Sequence, residues 1–265
     1  MRAPNWFKLA ATSWLVLLVG AWAAACSVRL PVSGDGDTSS VPADPLLERL
    51  ASTKATWGAQ ETDRLCARVA RVRDVAHAVV RMFHDSLSVR VPDVPPTLQT
   101  AEQRNARAVR RRVVLLFEFC GAQFRDALPL AIELLRMHVL RGEYVGSRRR
   151  LERALASISQ DDPTALASEA RASADIGVRL ACIRALGHLR LGADEAAGEL
   201  RTLAGDPSPD VAIEAFLSIE RLDRVDAALI AQLQRVLSGV EDESVRDRMV
   251  KLHATWSRRL VNDRK

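Results

Sequence analysis

Apolar residues recur along the chain at alternating steps of three and four. Between residues 65 and 87 the series is Leu65, Val69, Val72, Ala76, Val79, Phe83 and Leu87. That spacing predicts one long amphipathic helix with a single apolar stripe. Val91-Pro92-Asp93-Val94-Pro95-Pro96 ends it, because consecutive prolines cannot carry a helix forward. A second long helix comes next, with Val109, Val113, Leu116 and Cys120 on one face and Phe117 and Phe124 beside it. A third starts near Asp126, holds Pro129 in its first turn, where proline is tolerated, and runs through Leu134, Leu135 and Leu140 to Gly142. No stretch alternates apolar and polar residues long enough to predict a strand. The predicted class is all-α.

The C-terminal half repeats itself. Asp175-Ile176-Gly177-Val178-Arg179 opens one helix, Asp206-Pro207-Ser208-Pro209-Asp210-Val211 another, and Asp242-Glu243-Ser244-Val245-Arg246 a third. The three valines lie 33 and 34 residues apart. Aligning on them superposes Cys182, Ala215 and Met249, then Ile183, Phe216 and Val250, then Leu189, Leu222 and Trp256. Shorter helices between them carry Leu200 and Leu203, then Leu229, Ile230, Leu233 and Leu237. A helix pair recurring at this period cannot bury its apolar face alone and must stack on its neighbours. The Asp ahead of each second helix is expected to cap it, its charge suiting the positive helix end.

Val178-Arg179-Leu180-Ala181-Cys182-Ile183-Arg184-Ala185-Leu186-Gly187 resembles the second helix of a HEAT-like repeat of the short, phycobilisome-lyase type, with Asp175 and Arg179 at the family's capping Asp and Arg. The second copy departs from it with Ala212 and the third with His253; the resemblance covers residues 174–256. Upstream, Gly142-Glu143-Tyr144 followed by Ser147, Leu151, Ala154 and Leu155 resembles half of a tetratricopeptide unit, whose expected Pro comes late, at Pro163. Both resemblances imply an α-solenoid of stacked helical hairpins, and neither carries a catalytic residue across.

The start of the chain reads as an export signal. Arg2 and Lys8 precede Leu9–Ala25, a stretch with no charged residue. Ala23-Ala24-Ala25-Cys26 resembles the bacterial lipobox, which implies cleavage and lipidation at Cys26; it departs from the usual pattern at Ala23. Two other readings stand beside this one. Ala23-Ala24-Ala25 also fits an ordinary cleavage site that releases the chain, and Trp6–Ala25 is close to the minimum length of an uncleaved membrane anchor. All three export the rest of the chain, because the basic residues hold the N-terminus cytoplasmic. Ser33-Gly34-Asp35-Gly36-Asp37-Thr38-Ser39-Ser40 then reads as a flexible tether with a reach of roughly 20 Å. The expected divisions are 1–25 signal peptide or anchor, 26–44 tether, 45–142 long helices and 143–262 repeats. The expected location is the cell envelope, facing the periplasm or the exterior.

The 265 residues are 48% hydrophobic and 27% charged, enough apolar material to exclude a wholly disordered chain. Of 38 basic residues only Lys8, Lys54, Lys251 and Lys265 are lysines. The net charge is +5, and loss of Arg2 and Lys8 with the leader lowers it by two. The leader also holds Trp6, Trp14 and Trp22, leaving Trp57, Trp256, Tyr144 and few other rings to build a stacking cleft for sugar or single-stranded nucleic acid. With Cys26 lipidated, one disulfide is open to Cys66, Cys120 and Cys182. The reading of all three as small buried hydrophobes ranks ahead, since Cys120 and Cys182 fall on apolar stripes.

Catalytic signatures are missing. GxSxG, HExxH, CxxC, GxGxxG and GxxxxGK[ST] do not occur. His77 and His84 are seven residues apart, and two ligands do not close a metal site. No cofactor, metal, nucleic acid or small-molecule substrate is expected. The basic clusters are Arg104, Arg107, Arg110, Arg111 and Arg112, then Arg136, Arg141, Arg148, Arg149, Arg150 and Arg153. They suit an acidic partner or anionic headgroups, or simply form solvated helix faces. The sequence thus predicts an exported, lipid-anchored, non-catalytic helical-repeat scaffold for another envelope protein, with Arg148, Arg149, Arg150, Arg179 and Arg246 as candidate partner contacts. The alternatives are an enzyme resembling the bilin lyases and a purely structural envelope lipoprotein.

Overall fold

A computed structural model of the chain describes residues 44–52, 55, 57–143 and 147–262. The leader, Cys26 and most of the tether lie outside the described residues, as does Tyr144. The α-helices are α1 (Pro45–Ala51), α2 (Ala59–Val69), α3 (Arg73–Ser88), α4 (Ala101–Cys120), α5 (Leu128–Arg141) and α6 (Arg148–Ile158). They continue with α7 (Thr164–Ala172), α8 (Ile176–Leu186), α9 (Ala193–Leu203), α10 (Pro209–Arg221), α11 (Ala227–Leu237) and α12 (Glu243–Asn262). The protein is all-α, and a single bridge between Pro92 and Glu143 is the extent of extended pairing among the described residues.

The helix ends obey the local chemistry. Asp44 accepts from Leu46 N at 2.9 Å ahead of Pro45, and Thr100 with Gln103 forms a reciprocal capping box on α4. Helix α5 stops on Gly142, whose φ of 61° is a left-handed position free of Cβ strain only for glycine. Asp175 and Asp226 cap α8 and α11, accepting from Val178 N at 2.9 Å and Leu229 N at 2.8 Å. Asp242 does the same for α12 through Val245 N at 3.0 Å.

Several expectations need correction. The stripe from Leu65 to Leu87 is not one helix: α2 ends at Val69, and Val72 is extended with φ −130° and ψ 100°. A stiff β-branched side chain favours that conformation, and the stripe's phase survives the break because both helices pack on α4. The second long helix ends at Cys120, so Phe124 lies in a separate 3-10 segment, Gly121–Ala127, with its ring 4.9 Å from that of Phe117. Asp206 does not cap α10; Ser208 occupies the cap position, and Asp206 Oδ1 accepts from Ser208 N at 2.9 Å. Of the twelve superposed repeat positions, Val250 alone is exposed, at 48%. Trp256 falls inside α12, whereas Leu189 and Leu222 lie just past their helices.

The cysteines also differ from the leading expectation. Cys66 on α2 and Cys120 at the end of α4 form a disulfide with Cα atoms 5.8 Å apart, within the normal range for such a bridge. Cys182 is a buried free thiol on α8, and burial pushes its pKa up to about 12. It behaves as the small hydrophobe that the sequence predicted.

Packing connects every second helix. Helix α4 packs on α6, α6 on α8, α8 on α10 and α10 on α12, while α7, α9 and α11 lie against α8, α10 and α12. One hydrophobic core runs from Leu47 to Trp256. Close approach has a visible cause at Gly187, where a Cβ would lie 2.7 Å from the Ser218 side chain of α10. A chain of charges crosses the same row. Glu152 on α6 accepts from Arg148 at 3.2 Å and faces Arg184 of α8 at 3.5 Å. Arg184 reaches Glu214 of α10 at 3.1 Å, and Glu214 also meets Arg221 at 3.0 Å.

The two glutamates of this chain of charges, both buried, respond oppositely. Burial pushes Glu152 up and outweighs its two arginines. Burial also acts upward on Glu214, but hydrogen bonds and charge from Arg184 and Arg221 outweigh it and hold the carboxyl below its ordinary value of 4.5. Glu214 therefore adds stability above that ordinary value, and the contribution is lost as pH falls through the lowered one. Glu152, more easily protonated when folded, weakens the fold as pH rises between its ordinary and raised values.

Glu214→Gln should cost about 2 kcal/mol at neutral pH and flatten the acid limb of stability, whereas Glu152→Gln should change stability by less than about 1 kcal/mol. Denaturant titrations at neutral and acidic pH check both, and equal losses would refute the asymmetry. Non-reducing peptide mapping should recover the Cys66 and Cys120 peptides joined, with Cys182 alkylated only after denaturation. Opening this loop of 54 residues should cost about 4 kcal/mol.

Candidate functional site

Helix α4 carries arginines on two faces, with different fates. Arg110 and Arg112 point inward. Arg110 is fully buried and donates to the carbonyls of Ser86 (2.8 Å) and Val89 (2.6 Å), at the C-terminus of α3, and to Glu143 Oε2 at 3.2 Å. Arg112 donates to the carbonyls of Arg49 (2.9 Å), Leu50 (2.9 Å), Ser52 (2.7 Å) and Ala55 (2.6 Å), around the end of α1. Both guanidiniums satisfy carbonyls that a helix C-terminus leaves open and sit at its negative end. Burial lowers the pKa of each; Glu143 partly offsets this for Arg110, while Arg111 and Arg49 add to it for Arg112.

The opposite face of α4 lines a hollow of about 720 Å³. Arg104, Arg107 and Arg111 lie along it, with Trp57 and the Arg112 guanidinium on one side and Arg150 of α6 on another. No carboxylate is among its described lining residues. Arg107 Nη1 donates to Val94 O at 2.8 Å and Arg104 Nη1 to Gln99 O, so the loop before α4 holds both side chains in place. Arg112 lies 5.7 Å from the centroid of Trp57, whose Nε1 donates to Thr62 Oγ1 at 3.1 Å.

Phe119, 60% exposed, separates this hollow from a second of about 470 Å³. There Glu118 forms an ion pair with Arg153 at 2.8 Å and lies 3.9 Å from Arg150, and His188, Gln160 and Arg190 are also in the wall. Partial desolvation, with the charges of Arg221 and Arg153, lowers the His188 pKa from its ordinary value.

Of the five predicted contact residues, Arg150 lines the hollow and Arg149 is exposed on the first turn of α6. Arg148 is engaged by Glu152 and by Gly177 O at 3.3 Å. Arg179 donates to Ala170 O at 2.8 Å and pairs with Asp206, and Arg246 donates to Val240 O at 2.9 Å. Arg179 and Arg246 occupy equivalent repeat positions, and each ties its helix to the segment before it. The sequence pattern does not single out Trp57 or Phe119; Phe119 lies one residue from the apolar Cys120, which masks it in the stripe.

Among the described residues no group of three His, Cys, Asp or Glu side chains converges as a metal site, and His77 and His84 are both exposed on α3. No helix among them is long and apolar enough to cross a membrane. No family model, curated protein or solved structure matches the chain.

The Arg112 geometry makes a stability prediction. Arg112→Met should remove the guanidinium donor shared by four carbonyls and cost about 3 kcal/mol, a Tm loss of about 6–12 °C. Arg111→Met, on the exposed face, should change stability by no more than about 0.5 kcal/mol. Thermal unfolding of both variants checks this, and a neutral Arg112→Met would refute it.

Proposed function

We propose that the chain is a non-catalytic helical scaffold of the cell envelope, held there through its leader and presenting a rigid surface to another envelope protein. The observation that carries this reading is the next-but-one packing of α4, α6, α8, α10 and α12. Such packing fixes side chains on different helices relative to one another over a long row, which is what a binding surface needs and what stacked HEAT-like hairpins provide. Arginines from α4, α6 and the segment after α8 share that surface. A solenoid description fits the same row, with α12 as its long terminal helix.

Two features of the chemistry support the location. Ala23-Ala24-Ala25-Cys26 supplies a thiol for lipidation, and the Cys66–Cys120 bridge suits an oxidising compartment.

The test is in-cell crosslinking of the native chain and Cys26→Ala, with palmitate labelling of both. The expected result is one stoichiometric crosslinked envelope protein, with label and envelope retention lost in Cys26→Ala. A native chain that crosslinks to nothing reproducible would overturn the scaffold, and equal labelling would overturn lipid attachment.

A further inference from the structure

We infer that the hollow over α4 is a docking groove for an acidic, extended segment of a partner protein, with an apolar residue of that segment seated at Phe119. The inference rests on the scaffold reading for the partner being a protein; the charge and shape of the groove are independent of it.

Charge comes first. Arg104, Arg107, Arg111 and Arg150 line the hollow with no carboxylate among the described lining residues; Arg112, also in its wall, is engaged by the carbonyls around the end of α1. Glu118, beyond Phe119, pairs with Arg153 at 2.8 Å and lies 3.9 Å from Arg150, so Arg150 is partly matched and the α4 arginines carry most of the charge facing the hollow. Clustered guanidiniums between low-dielectric walls focus a positive potential into the hollow and select an anionic occupant.

Shape narrows the occupant. Arg104, Arg111 and Arg150 are exposed, whereas Arg107 is half-buried in the concave hollow, so an inserted segment reaches one guanidinium more than a flat bilayer surface does. At about 720 Å³ it takes a chain rather than one phosphate group. With a rise of about 1.5 Å per residue, Arg107 and Arg111 stand roughly 6 Å apart along α4, and Arg104 and Phe119 roughly 22 Å apart. An extended peptide repeats same-face side chains roughly every 6.6 Å, so alternate carboxylates meet successive arginines over about seven residues.

Preorganisation and polarity complete the fit. Arg104 and Arg107 each place one nitrogen on a loop carbonyl, which fixes side chains that otherwise lose rotamer entropy on binding. A guanidinium carries five N–H donors, and its planar fork matches a carboxylate in two-pronged fashion. Phe119 and the half-buried Leu115 give the groove an apolar end.

The probe is a fluorescein-labelled peptide of six glutamates ending in leucine, titrated into the full-length chain in detergent and followed by anisotropy. Saturable binding is expected, weakening as salt rises. Arg111→Glu combined with Arg150→Ala should weaken it by about tenfold or more, and the charge change Arg235→Glu on α11 should leave it unchanged. Replacing the terminal leucine by serine should also weaken it. Equal peptide affinity for native and doubly substituted chains would overturn the groove. So would failure of the peptide while phosphatidylglycerol vesicles or inorganic phosphate bind in an Arg111-dependent manner, which would make the hollow a headgroup or phosphate site. If the crosslinked partner is captured equally by the doubly substituted chain, the scaffold stands and the groove falls.

Discussion

The shortness of the helices constrains everything else in this protein. Helices α6, α8, α9 and α11 have eleven residues each, below the length at which an isolated helix holds in water. Their stability must come from neighbours. Helix α8 shows how: Val178, Ala181, Cys182, Ile183, Ala185 and Leu186 are buried around much of its circumference, because α6, α7 and α10 all pack against it. Small side chains keep those contacts close, and Gly187 lets α10 approach to a distance that a methyl group would forbid. The charges from Glu152 through Arg184 to Glu214 then select the register, since sliding one helix along its neighbour would strand a buried carboxylate.

The arginines of α4 divide by the direction in which the helix aims them. Arg110 and Arg112 bring positive charge to two helix C-termini, tying α3 and α1 to the row alongside apolar packing such as the Phe83–Phe117 ring pair. Arg104, Arg107 and Arg111 face the other way, where the same residue type makes a surface for anions. One helix thus does structural and surface work with a single kind of side chain. The loop carbonyls of Val94 and Gln99 stabilise the outward set in the way the α1 and α3 carbonyls stabilise the inward one.

Much of the fold was legible where the signal is local. Pro129 in a first turn, Gly142 at a helix end and Asp175 as a cap each act within a few residues, and each stands where the sequence placed it. The break at Ala70–Val72 was not legible, because no Gly or Pro marks it and the apolar phase continues across it. The Cys66–Cys120 bridge joins positions 54 residues apart, and spacing alone does not choose among three cysteines. The inward arginines did leave a trace. At about 100° per residue, Arg112 lies roughly 40° from Leu116 and Arg110 roughly 20° from Phe117, inside the buried sector. Arg104, Arg107 and Arg111 fall opposite. Helical spacing alone sets Arg104, Arg107 and Arg111 on one face, away from the Val109 and Val113 stripe; what it does not give is the carbonyls that Arg110 and Arg112 meet.

The site and the fold meet at the segment between α1 and α2. Ala55, Trp57 and Gly58 form one wall of the large hollow, and Arg112 holds that segment through the Ala55 carbonyl and the face of Trp57. The disulfide ties α2, the next helix in the chain, to the end of α4 beside Phe119. Reduction would free α2 from its covalent anchor at the point where the two hollows adjoin, leaving the wall to depend on Arg112 and the packing of Leu65 and Val69. The hollow is therefore best formed where the bridge persists, which is the oxidising side of a membrane. The bridge thus agrees with the envelope location proposed above, which the lipobox-like Ala23-Ala24-Ala25-Cys26 suggests on separate grounds.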